Sequence, residues 1–126
     1  MRWEAVVDLL SARPGRGCTV VEVRGDLDMA TAPQLRDGLQ RLVDAGDRQI
    51  VVDMAGVRFM DSSALGTLVM IFKALGDVGG RLCLAAVQPA VQSVLKITSV
   101  DRVIDLYDTV QAAEAAVPSV DGTAAG

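Results

Sequence analysis

The sequence predicts an α/β fold, with one domain that contains a mixed sheet of four or five strands and about four α-helices. Short apolar runs rich in β-branched residues alternate with longer segments whose apolar residues recur at helical spacing. Strands that alternate with helices favour a parallel or mixed sheet with right-handed crossovers. The length of 126 residues suits a single hydrophobic core, and we expect the domain to span residues 1–117.

A β-hairpin is predicted first along the chain. Residues 3–11 mix acids with apolar residues and suit either a strand or a short helix. Residues 18–25 are β-branched and end at a glycine, which favours a strand. The Gly/Pro/Arg turn at residues 13–17 lies between the two segments, so we expect them to pair.

The segment 26–46 predicts the first helix. Thr31, with a glutamine three residues later, resembles a capping box, and Pro33 lies in the first turn, where its missing N–H is harmless. Gly46 suits the C-terminal end. The nearly continuous apolar run at 48–54 then predicts a central strand buried on both faces. The apolar residues that recur at helical spacing in the first helix are Leu35, Leu39, Leu42 and Val43.

Two further helices and two strands are predicted next. The second helix ends near residues 79–80, and its apolar face comprises Leu65, Leu68, Val69, Phe72 and Leu75. Residues 81–87 predict another buried strand. Residues 88–99, with Pro89 near the start, predict a third and shorter helix. Residues 102–107 predict the last strand.

The C-terminal part predicts a fourth helix and a tail. Asp108, with Gln111 three residues later, resembles a helix start. Residues 118–126 are small and polar, and we expect them to be disordered.

The composition argues against several classes of protein. Hydrophobic residues make up 51% of the chain and charged residues 22%, which is typical of a compact globule. The net charge of -4 argues against binding to a nucleic-acid backbone, which requires a basic face. No apolar run reaches the roughly 20 residues of a membrane span, and Glu4 and Asp8 argue against a signal peptide. We therefore expect a cytoplasmic protein with neither a nucleic-acid nor a membrane partner.

Histidine is absent, so the commonest general base and the commonest metal ligand are both missing. We therefore expect no enzyme activity, no metal site and no cofactor. The two cysteines, Cys18 and Cys83, lie in separate apolar stretches. They are either buried core thiols or a redox-sensitive pair on neighbouring strands, and a disulfide requires Cα atoms within about 7 Å.

A polar triplet, Asp61-Ser62-Ser63, stands between two apolar stretches, although burial of such side chains without partners costs free energy. The triplet opens a predicted helix, so Asp61 or Ser62 suits the N-cap. A catalytic serine is disfavoured, because the chain has no histidine base and no Gly-x-Ser-x-Gly pattern. The third interpretation is an exposed hydroxyl that accepts a phosphate, whose charge repels a docking partner without refolding the domain.

Three segments carry a resemblance to a known family: VRGDLDMATAPQLRDGL, IVVDMAGV and FMDSSALGTLVMIFKAL. Over residues 4–115 the chain resembles the bacterial anti-sigma factor antagonists of the STAS fold. The resemblance implies a single STAS domain and a regulator rather than an enzyme. It also implies an anti-sigma factor as partner, typically itself a serine kinase, which releases its sigma factor when the antagonist binds. Phosphorylation then weakens the complex, and a phosphatase resets it.

The resemblance also implies roles for individual residues. It maps the phosphorylated serine onto Ser62, directly after the aspartate, with Ser63 as second choice. Many relatives have glycine where this chain has Ala64, and the added methyl near the acceptor is expected to alter kinase access or partner choice. The residues expected at the partner surface are Asp28, Thr31, Asp61, Ser63 and Ala64.

Two other functions stay open at the level of sequence. One is a redox-responsive regulator that acts through Cys18 and Cys83. The other is a STAS module that binds a nucleotide or another sensory protein, since a fold alone does not fix a function. The protein itself is expected to be a monomer or a weak dimer.

Overall fold

The computed structural model describes residues 9–118 as a five-stranded mixed sheet with helices on both faces. The strands lie in the order in which they occur along the chain, and the predicted α/β fold is confirmed. The strands are β1 (Leu10–Pro14), β2 (Thr19–Arg24), β3 (Gln49–Gly56), β4 (Arg81–Ala85) and β5 (Leu106–Tyr107). The α-helices are α1 (Ala32–Asp44), α2 (Ser62–Asp77), α3 (Pro89–Ile97) and α4 (Val110–Ala115), and a 3₁₀ turn spans Val100–Arg102.

The N-terminal hairpin is confirmed, because β1 pairs antiparallel with β2 and Leu10 faces Val23. The remaining strands are parallel to their neighbours, and β3 lies at the centre with Val51 between Val20 and Cys83. Residues 3–11 are expected from the sequence to form either a strand or a short helix, and the structure shows a strand from Leu10 onward. Residues 3–8 lie outside the described residues.

Alternation along the strands divides the core into two layers. Helices α1, α2 and α3 cover one face through buried leucine, isoleucine and valine side chains. Helix α4 covers the other face, where Val110 and Ala113 pack against Val20, Val51 and Cys83. Because every parallel strand runs the same way, the helices that follow β2 and β3 begin at the same edge of the sheet. The starts of α1 and α2 therefore lie at that edge.

The last predicted strand is wrong over most of its length. Residues 100–102 form the 3₁₀ turn, and only Leu106–Tyr107 pair with β4. Ile104 is fully buried in the larger core layer although it lies outside a strand. Its apolar character reflects packing rather than pairing in a sheet.

Two predicted capping interactions are not found in the structure. Thr31 stands at the N-cap position of α1, but its side chain makes no capping hydrogen bond and its backbone is helical. At α4 the cap is Thr109, whose hydroxyl accepts the N–H of Ala112 at 3.0 Å, and not Asp108. Pro33 and Pro89 do stand in the first turns of α1 and α3, as predicted.

Within the described part of the chain, no helix is long and apolar enough to cross a membrane. The predicted C-terminal tail falls almost entirely on residues 119–126, which lie outside the described residues.

Candidate functional site

The start of α2 is capped by a carboxylate. Asp61 has an extended backbone, and its Oδ1 accepts the N–H of Ser63 at 2.9 Å and the N–H of Ala64 at 3.2 Å. Two of the N–H groups that every helix start leaves without a backbone partner are thus satisfied by one side chain. The sequence left the cap open between Asp61 and Ser62, and the structure assigns it to Asp61.

Ser62 is the first residue of α2, and it is exposed. Its hydroxyl makes no hydrogen bond to any residue of the described range 9–118. Ser63 is half-buried, and its carbonyl accepts the hydroxyl of Thr67 at 3.2 Å. Of the two serines, Ser62 therefore has the more accessible hydroxyl.

A second loop lies against the segment that leads into α2. We call residues 25–31 the β2–α1 loop and residues 57–61 the β3–α2 loop. Leu27 and Met60 form an isolated parallel bridge between them. The N–H of Leu27 donates to the carbonyl of Phe59, and the N–H of Asp61 donates to the carbonyl of Leu27, both at 2.9 Å. These two hydrogen bonds place Asp28 and Ser62 at the same edge of the molecule.

Asp28 and Thr31 bind to each other and to their own loop. The Asp28 Oδ1 accepts the N–H groups of Ala30 at 3.0 Å and Thr31 at 3.1 Å. The Thr31 hydroxyl accepts the N–H of Asp28 at 2.9 Å, and the carbonyl of Asp26, 3.0 Å away, is the nearest acceptor for its proton. The Asp28 and Thr31 side chains are thus used in building a loop that contacts the segment leading into α2 through Leu27.

Ala64 does not lie at the surface. Its side chain is fully buried in the larger core layer, beneath the first turn of α2. This burial argues against a direct contact between its methyl group and a kinase or partner, because α2 turns this position away from solvent. The exposed small residue is Gly66, where an added Cβ would meet no atom within 4 Å.

The two loops and α2 also carry exposed apolar side chains, which the site predicted from sequence did not include. Met29 is 74% exposed on the β2–α1 loop, and Phe59 is 50% exposed on the β3–α2 loop. Met70, eight residues after Ser62 in α2, is 45% exposed. Met29 directly follows Asp28 and Phe59 directly follows Arg58, and both lie between predicted elements. An apolar residue beside a charged residue in a loop is a pattern that could have predicted their exposure.

The two loops carry an excess of negative charge. Their ionisable residues are the carboxylates Asp26, Asp28 and Asp61 and the guanidinium of Arg58, so three negative charges and one positive charge give a net charge of -2. Both Asp28 and Asp61 use a carboxylate oxygen to accept backbone N–H groups. An anionic group added at Ser62 would therefore add to the negative charge that these loops already carry.

The two cysteines are free and do not lie on neighbouring strands. Cys83 in β4 aligns with Val51 in β3, which aligns with Val20 in β2, two residues after Cys18. Two strand spacings amount to roughly 10 Å, beyond the approximately 7 Å that a disulfide allows. Burial raises the pKa of the Cys83 thiol to about 11, and burial with the nearby Glu114 carboxylate raises the pKa of Cys18. The geometry disfavours a redox pair.

Comparison with known proteins gives one family. The model of the STAS domain matches residues 11–113. The chain is 28% identical to an anti-sigma F factor antagonist of Paenibacillus polymyxa over 74% of this chain and 80% of that protein. It is 35% identical to an anti-sigma-B factor antagonist of Staphylococcus aureus over 62% of this chain and 72% of that protein. An anti-sigma factor antagonist from Mycobacterium paratuberculosis has a similar crystal structure, with a TM-score of 0.80 and 30% identity over 87% of this chain and 93% of that one.

Proposed function

The chain belongs to the STAS-domain family of anti-sigma factor antagonists, and we propose that it binds an anti-sigma factor and is switched off by phosphorylation of Ser62. Binding would free a sigma factor for transcription in the cytoplasm. The anti-sigma factor would itself be the serine kinase, and a phosphatase would restore the active form. The similar proteins include anti-sigma factor antagonists, and this chain would likewise act as a binding protein rather than an enzyme.

The observation that carries the proposal is that Asp61 caps α2 while Ser62 stays exposed. The Asp61 carboxylate caps α2, so the Ser62 hydroxyl is not needed for the fold and stays exposed. A kinase must reach the hydroxyl of its substrate, and Ser62 meets that requirement better than the half-buried Ser63.

The capping geometry also supports an electrostatic switch. The N–H groups of Ser63 and Ala64 already donate to Asp61, so they are not available to neutralise a phosphate on Ser62. A phosphate adds about -1.5 to -2 charges at pH 7. Because the two loops already carry a net charge of -2, the modified surface would repel an acidic partner surface and would cost more to desolvate.

The apolar side chains around Ser62 supply the attraction that the switch removes. Met29 is 74% exposed and Phe59 50% exposed, and each lies within two residues of the bridge between the two loops. Burial of such side chains at the centre of an interface is worth far more than contacts at its rim. A phosphate on Ser62 would either be buried in this apolar interface, at a cost in desolvation, or prevent the partner from binding.

The test is phosphorylation of the purified protein by its anti-sigma factor kinase. The kinase is captured from the source cell with immobilised wild-type protein, incubated with ATP and the antagonist, and the product is mapped by peptide mass spectrometry. We expect phosphate on Ser62 in the wild type and none in Ser62→Ala. Ser63→Ala is the matched control, and it should be phosphorylated like the wild type.

Binding is measured with the same captured partner. Ser62→Ala should bind like the wild type, whereas Ser62→Asp should bind more weakly, and the loss should shrink as salt screens the added charge. Phosphate on neither serine in an active kinase assay would refute the switch. Equal affinities for Ser62→Ala and Ser62→Asp would refute its electrostatic basis.

A further inference from the structure

The Asp28 side chain forms hydrogen bonds within its own loop. Its Oδ1 accepts the N–H groups of Ala30 and Thr31, and its own N–H donates to the Thr31 hydroxyl at 2.9 Å. The hydroxyl proton of Thr31 has an acceptor in the Asp26 carbonyl, 3.0 Å away. This ring of hydrogen bonds closes the β2–α1 loop immediately after Leu27.

Leu27 transmits that closure to the acceptor. It is fully buried, and it is hydrogen-bonded in both directions to the β3–α2 loop, through Phe59 and Asp61. Asp61 in turn caps α2 and directly precedes Ser62. Two consecutive contacts therefore connect the Asp28 carboxylate with the acceptor serine: Asp28 fixes the loop that holds the Leu27 carbonyl, and that carbonyl holds the Asp61 amide.

We propose that Asp28 is a positioning residue, whose carboxylate fixes the β2–α1 loop so that Leu27 holds the Asp61 cap and Ser62 in place. The effect of this positioning on recognition rests on the proposed function, in which Ser62 is presented to the anti-sigma factor. The side chain acts as a hydrogen-bond acceptor in this role, so its charge is dispensable. That distinguishes a positioning residue from one that forms an ion pair with the partner.

Three variants separate the acceptor from the charge. Asp28→Ala removes both, whereas Asp28→Asn removes the charge and keeps an acceptor oxygen of the kind that favours such turns. Asp26→Asn is the control for charge alone. Asp26 is exposed in the same loop, and its side chain makes no hydrogen bond to any of residues 9–118. The first readout is amide hydrogen exchange of Leu27 and Asp61, normalised to the amide of Ile71, a fully buried residue inside α2.

In Asp28→Ala the Leu27 and Asp61 amides should exchange about five- to tenfold faster relative to Ile71, as expected for the loss of a capping side chain. In Asp28→Asn and Asp26→Asn their relative rates should stay within about twofold of the wild type. Normalisation to Ile71 separates local opening from global destabilisation. Unchanged relative rates in Asp28→Ala, or equal acceleration in Asp28→Asn, would overturn the inference.

The second readout is affinity for the anti-sigma factor captured with wild-type protein. Asp28→Ala should bind more weakly, and Asp28→Asn should restore most of the affinity. If both variants lost the same affinity, the charge of Asp28 would contact the partner. If neither variant lost affinity, the position of the loop would not matter for binding. Either result would overturn the inference. If wild-type protein captures no anti-sigma factor, the proposed function fails, and hydrogen exchange still decides whether Asp28 holds the loop.

Discussion

Oδ1 of Asp61 accepts the N–H of Ser63 over 2.9 Å, and the hydroxyl of Ser62, which stands between them, makes no hydrogen bond to any of residues 9–118. One residue thus satisfies the helix start and the next presents a free group at the surface. Substitutions can separate the two roles, because a change at Asp61 acts on stability and a change at Ser62 acts on the surface.

Removal of the cap should destabilise the protein. Asp61→Ala leaves the N–H groups of Ser63 and Ala64 without their side-chain partner, and it should lower the free energy of unfolding by about 1 kcal/mol. Urea unfolding followed by circular dichroism measures the change. Asp61→Asn, which keeps an acceptor oxygen, and Ser62→Ala, which removes only an exposed hydroxyl, are the controls and should stay close to the wild type. A wild-type midpoint for Asp61→Ala would contradict the assigned cap.

Ala64 should matter for stability and not for recognition. Ala64→Gly removes a fully buried methyl group and adds a glycine to the first turn of α2, so it should lower the free energy of unfolding by roughly 1–2 kcal/mol. Affinity for the anti-sigma factor should be unchanged at temperatures where the variant is folded. Gly66→Ala is the matched control, because it lies on the exposed side of α2 with free space around it, and it should stabilise the protein by up to about 1 kcal/mol. A change in affinity for Ala64→Gly would place this residue at the interface after all.

The Cys83 thiol should make stability fall at high pH. Burial raises its pKa from 9.0 to about 11, so the folded chain holds this proton more tightly than the unfolded chain. The resulting stabilisation is complete below about pH 9 and is lost as pH rises toward about 11. Urea unfolding of wild type and Cys83→Ala under reducing conditions isolates this contribution, because other groups titrate equally in both. The difference between the two free energies of unfolding should shrink above about pH 9, and parallel curves would contradict the raised pKa.

No disulfide should form between Cys18 and Cys83 in the folded chain. Cys18 directly precedes β2 and Cys83 lies in β4, and β3 stands between these two strands. The two Cα atoms therefore cannot come within disulfide distance unless the sheet breaks. Mild oxidation followed by thiol labelling and non-reducing mass spectrometry should find two free thiols. The same oxidation in concentrated urea, where the chain brings the two residues together at random, is the positive control. A disulfide formed without urea would revive a redox function.

The regular parts of the fold follow from the sequence because their signals are local. The apolar spacing from Leu65 to Leu75 and the apolar run at 48–54 each determine one element through residues that are close along the chain. The position of Thr31 before α1 could be predicted that way, but its missing capping hydrogen bond could not, because its hydroxyl is used within the β2–α1 loop.

The candidate site illustrates the same limit. The motif around Ser62 predicts the acceptor, but the contact between the β2–α1 and β3–α2 loops is a single bridge from Leu27 to Met60, with no repeating pattern on either side. The exposure of Met29 and the burial of Ala64 also depend on how the loop and helix turn, which composition does not determine. Residue identities gave the chemistry of the site, and tertiary contacts decide which side chains are available for it.

The exposed apolar side chains next to Ser62 should carry much of the affinity for the anti-sigma factor. Met29→Ser and Phe59→Ser each remove an apolar group that is at least half exposed, so each should weaken binding about tenfold or more, as interface anchors do, and change the free energy of unfolding little. Ile97→Ser is the matched control, since Ile97 is 84% exposed but ends α3, at the opposite edge of the sheet from the start of α2. Isothermal titration with the captured partner measures the three affinities, and urea unfolding checks each fold. If Ile97→Ser weakened binding as much as Met29→Ser, the interface would not be centred on Ser62, because the two side chains cannot both lie at the middle of one contact of ordinary size.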